Sequence, residues 1–273
     1  MGAGRQPLSP ALAPARAAAL AAVEQSCARV PRPAALSNRD PVTAAADARI
    51  LSLPLSELTE GDLWTYASEG GNWLNPAEVA YVLPRLCALI AEGRCPSPIG
   101  WGSAFFALKL SGFPQDWPPD RAAAVEGFAA AFALAWLEDP ELGALTGCWP
   151  ERIESLGDLL AMAQGGQIPL PPLLMRLAGA PAQPLARVLA VWSVEQAAWL
   201  DPEIPAQDAA ETVAFHLANS AFSGPSENDA RDTLTAWLLG LDLPSRLAVA
   251  MRAEEHPHRR DVLEQAAVLW PLP

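Results

Sequence analysis

The 273-residue chain is poor in positive charge, in cysteine and in histidine, and each scarcity removes a class of function. Lys109 is the only lysine, and 18 basic residues stand against 31 acidic ones, for a net charge of −13. No basic face is left to neutralise phosphates, so nucleic-acid binding is not expected. The same imbalance repels anionic membranes and speeds encounter with basic partners. The four cysteines, Cys27, Cys87, Cys95 and Cys148, are too dilute for a disulfide scaffold and never form a C-x-x-C pair, which fits a reduced cytoplasm. Cys87 falls inside an apolar helical stripe, the setting of a buried structural thiol. No apolar run approaches the roughly 20 residues needed to cross a bilayer, the longest comparable stretch being residues 127–137. The alanine-rich beginning imitates a signal peptide, but Arg16 interrupts it and residues 18–23 are too short an apolar core, so export is not expected.

Chemistry-bearing motifs are equally scarce. Of the three histidines, His256 and His258 flank Pro257 at a helix entrance beside Arg259 and Arg260, short of the three or four ligands that a metal site requires. His216 shares a helical face with Val213 and Leu217, the pattern of a core histidine. Gly100-Trp101-Gly102-Ser103 follows no strand and lacks the P-loop lysine, and neither H-E-x-x-H nor G-x-S-x-G occurs. No catalytic residue, metal or cofactor is nominated.

What is abundant is apolar surface, 51% of residues, and proline, with 28. The prolines lie mostly between periodic apolar segments, as punctuation among short helices. Asn75-Pro76-Ala77-Glu78 has the cap residue, first-position proline and third-position glutamate of a helix start, and Val79, Val82, Leu83, Leu86 and Ile90 continue it as one stripe to Gly93. Pro84 inside that helix should kink it. Thr59-Glu60-Gly61-Asp62 is a capping box with aspartate in third place, opening a helix stopped by Gly70-Gly71. Asp116-Trp117-Pro118-Pro119 opens a long helix with Val125, Phe128, Phe132 and Trp136 on one stripe, and Trp149-Pro150 opens another that ends at Gly165-Gly166. Residues 184–200 are apolar on more than one face, with Leu185, Val188, Leu189 and Trp192 on one side, so this helix should be central. Further helices are expected near 206–219, 227–239 and 257–269. Strand alternation and hairpin turns are missing.

The expected fold is therefore all-α, an irregular multihelical bundle of about ten short helices, with a HEAT-like helical stack as the alternative. Residues 1–43 read as an Ala/Pro-rich N-terminal arm with a short helix near 15–29, and residues 44–273 as a single multihelical domain.

The most informative segment is residues 55–89, which gathers Trp64, Tyr66, Trp73, Glu78, Tyr81 and Arg85, including both tyrosines of the chain. Tyr81 and Arg85 are one helical turn apart, so an aromatic-and-arginine surface can form beside Pro84 as a partner-binding site. The competing reading places the same rings in the core, with Arg85 bonding carbonyls opened by the proline.

This segment resembles a set of uncharacterised bacterial helical proteins, in which a D-L…Y element precedes a tryptophan, an acidic residue and an aromatic-x-L-P-R sequence. The matching residues are Asp62, Leu63, Tyr66, Trp73, Glu78, Tyr81, Leu83, Pro84 and Arg85, and the stretch from Trp117 to Phe128 is similar to a second shared block. The resemblance implies a helical fold and no particular reaction.

Two functions follow as expectations. The first is a cytoplasmic protein-binding module, in its most concrete form an immunity- or antitoxin-like protein masking a basic protein partner. The alternative is an enzyme or enzyme accessory subunit whose site is dispersed, with the Trp/Tyr/Arg cluster and His216 as its material.

Overall fold

The computed structural model describes residues 13–36, 44–67, 74–95, 100–137, 156–197, 209–222 and 227–270. Among these residues every regular element is helical: thirteen α-helices and two isolated 3₁₀ turns, with no strand. The class is all-α. Three short helices were not expected: α2 (Ala44–Ser52), α8 (Leu170–Ala178) and α12 (Leu243–Ala253). In α8 and α12 the prolines that read as punctuation sit within the first turn, where no amide is required of them. The chain divides into two compact units, Met1–Ala135 with Cys148–Arg152 and Met162–Pro169, and Trp136–Gly147 with Ile153–Ala161 and Leu170–Pro273.

The first unit contains α1 (Ala13–Cys27), α2, α3 (Glu60–Ala67), α4 (Pro76–Ala91), α5 (Phe106–Leu110), most of α6 (Pro119–Leu137) and the end of α7 (Leu156–Gly165). Helix α4 starts as its sequence dictates: the Asn75 side chain accepts the Ala77 amide at 2.9 Å, and Pro76 takes the first helical position. It ends in a Schellman turn, where Gly93 at φ +70° donates to the Ile90 carbonyl and Arg94 donates to the Leu89 carbonyl. The expected stripe is buried, but so are Ala80, Tyr81, Cys87 and Leu89, so α4 is covered well beyond one face, with Ala77 exposed and Pro84 and Ala88 half-buried. Helices α1, α3, α5 and the 3₁₀ turn Leu55–Glu57 all pack against it. Burial raises the Cys87 thiol well above its usual range, and raises that of Cys27 on α1 as well. Neither is an activated thiolate.

Around this helix the unit closes through aromatic and glycine contacts. Phe128 stacks on Phe132 at 6.1 Å and meets Phe105 edge-on at 6.3 Å. The Trp117 indole donates to the carbonyl and hydroxyl of Ser111. Gly165 and Gly166 end α7, as expected, and allow its backbone to approach the 3₁₀ turn Trp101–Ser103. A Cβ on Gly165 would stand 2.5 Å from the Gly102 carbonyl oxygen, and one on Gly166 2.6 Å from Phe105 Cβ. The expected start of that helix at Trp149-Pro150, and the Gly70-Gly71 stop, lie outside the described residues.

The second unit is built on α9 (Ala182–Ala197), against which α10 (Ala209–Ala221), α12 and α13 (Pro257–Leu269) pack, while α11 (Asn228–Gly240) lies on α10 and α8. Leu185, Val188, Leu189 and Trp192 of α9 are buried, which confirms its central place. Its polar side chains also reach its neighbours. Trp192 donates its indole N–H to Ser220 at 3.1 Å, Ser193 accepts that of Trp270 at 3.0 Å, and Arg187 pairs with the buried carboxylate of Glu254 at 2.5 Å. Glu254 sits at the α12–α13 corner and also accepts the His256 amide. Burial alone would raise its pKa, but the His256 amide, Arg187 and Arg259 outweigh that effect and hold it below the ordinary glutamate value.

No single helix among the described residues is long and apolar enough to cross a membrane. The adjoining α11 and α12 reach that length and hydropathy only as a pair bent by 61°.

Two outcomes are expected from this architecture. Gly93→Ala, which forces a side chain into the left-handed region, should cost about 1–2 kcal/mol of unfolding free energy in urea. Gly127→Ala, in the middle of α6 with open space around the added methyl, should stabilise by up to about 1 kcal/mol. Equal effects of the two would contradict the cap geometry. For Glu254 the lowered folded pKa means that its stabilisation is present above the ordinary glutamate pKa and fades as pH falls through the folded value. Glu254→Gln should therefore be less stable than the native chain at pH 7, with the gap shrinking below about pH 4. A gap independent of pH would show that the carboxylate charge is immaterial.

Candidate functional site

The segment singled out by sequence is held in place by four arginines and by the caps of its helices. Asp62, third residue of α3, accepts the Thr59 amide and hydroxyl, each at 2.8 Å, so aspartate performs the back-reaching half of the capping box. Its other oxygen takes Arg49 of α2 at 2.7 Å, which ties α2 to α3. Partial burial works to raise the Asp62 pKa, but the bonds from Arg49 and Thr59 prevail and hold the carboxyl below its usual range. Glu60, at the start of the same helix, pairs with Arg94, which also reaches Glu92 at 3.2 Å. Desolvation works to lower the Arg94 pKa, and the two carboxylates together raise it.

Arg85 extends from α4 to donate to the Leu58 carbonyl at 2.7 Å and pairs with Glu92 at 3.3 Å. It thus fastens the chain between the 3₁₀ turn Leu55–Glu57 and α3. This departs from the expected bond to a carbonyl opened by Pro84. Tyr81 does not turn to Arg85 either. Its hydroxyl accepts Arg32 Nε at 2.9 Å, and the same guanidinium donates to the carbonyls of Leu51, Ser52 and Leu53, capping the C-terminal end of α2. Arg32 belongs to the expected Ala/Pro-rich N-terminal arm, and it pins that part of the arm to α2 and α4.

Of the six proposed partner-binding residues, Trp64 is exposed, with 47% of its surface open to solvent. Glu78 and Tyr81 are buried, with 4% and 9% open, and the Arg85 side chain is mostly covered. The Tyr66 side chain and Trp73 lie outside the described residues. The segment therefore divides into a buried part that holds the fold and one tryptophan that faces outward. The sequence reading missed Arg32, Arg49 and Arg94. Only Arg94 carried a local signal, two residues beyond the Glu92 cap.

His216 lies in the second unit, half-buried on α10 beside buried Val213 and Leu217, with Phe215 edge-on to its ring at 6.2 Å. His256 and His258 are exposed at the start of α13. Among the described residues no group of three histidine, cysteine, aspartate or glutamate side chains is placed to hold a metal ion. Each resolved shift in the first unit, in Asp62, Arg49, Arg94, Cys27 and Cys87, moves the group away from neutrality. None of these is poised as an acid or base near pH 7.

No protein-family model, curated protein or solved structure matches the chain.

The Arg32–Tyr81 bond is open to a double-mutant cycle. Tyr81→Phe should cost about 1 kcal/mol in thermal or urea unfolding, and Arg32→Ala more, because three carbonyls lose their donor as well. The double variant should be no less stable than Arg32→Ala alone. Fully additive losses would mean that the two side chains do not share a bond.

Proposed function

We propose that the chain is a cytoplasmic protein-binding module, immunity- or antitoxin-like, that receives a basic protein on its acidic surface and seats it on Trp64. The observation that carries this reading is the exposure of Trp64 on a chain of net charge −13. Tryptophan at an open surface position is the residue type that most often anchors an interface, and a strong uniform charge steers the encounter. Arginine usage supports the same reading. Arg32, Arg49, Arg85 and Arg94 are engaged with carbonyls or carboxylates of their own chain, and Glu24, Glu57, Asp116 and Asp120 of the same unit are exposed. In architecture we read an irregular bundle, with a HEAT-like stack as the alternative. Arg85 takes part by fastening the chain that leads into α3 and Tyr81 by holding Arg32 at the end of α2, Glu78 is buried with them on α4, and Tyr66 and Trp73 belong to the proposed site as the neighbours of Trp64 in sequence.

The test is capture of the bound protein from the source cell, followed by association kinetics with the purified pair. Raising salt should slow association, because the electrostatic reach falls to about 8 Å at physiological ionic strength, while dissociation changes little. Trp64→Ala should speed dissociation at least tenfold with its melting temperature unchanged. Salt-insensitive association together with normal binding by Trp64→Ala would overturn the proposal.

A further inference from the structure

We draw no further inference here: the strongest candidate, the shallow groove between α12 and α13 lined by Ala248, Met251, Arg252, Arg260 and Glu264, carries nothing because nothing in the structure shows what covers its apolar floor.

Discussion

Each unit is organised by one requirement: a helix that is apolar on more than one face must find packing partners on more than one side. In α4 the run from Glu78 to Leu83 is buried without interruption, which a helix lying on a surface cannot achieve, since its outward third would remain wet. The short helices α1, α3 and α5 supply the missing sides. None is long enough to be stable in isolation, so their order derives from the surface they share with α4. Helix α9 has the same place among α10, α12 and α13.

Arginine makes these arrangements specific. A planar fork with several donors can hold carbonyl groups at helix ends, where a lysine offers only a compact point charge. Arg32 collects three carbonyls beyond α2, Arg85 one before α3, and Arg246 the Ala178 carbonyl at the end of α8. These are the groups that many short helices leave open, so a protein with thirteen described helices has unusual need of such donors. Much of the small cationic complement is thereby engaged with backbone carbonyls and with carboxylates such as the buried Glu254.

Local chemistry was legible in the sequence and distant pairing was not. The start of α4 at Asn75-Pro76, its end at Gly93 and the Thr59–Asp62 box depend on residues within a few positions of one another, and all three stand as the residue types require. The stripe of α4 was read correctly but too narrowly, because Ala80 and Cys87 are buried by neighbours that periodicity does not reveal. For the candidate site the division between core and surface was out of reach. Tyr81 and Trp64 look equally fit to anchor a partner, and what ties Tyr81 inward is Arg32, 49 positions before it and inside the stretch that reads as an N-terminal arm.

Native-state hydrogen exchange is the most direct test of the organisation around α4 and α9. If each unit depends on its central helix, the amides of residues 82, 83 and 85–90 in α4 and 188–194 in α9 should exchange only through unfolding of their whole unit, with opening free energies at the top of the measured range, while α2 and α3 open earlier. Exchange of the α4 amides through local opening, at free energies no higher than those of α2, would contradict this order of dependence.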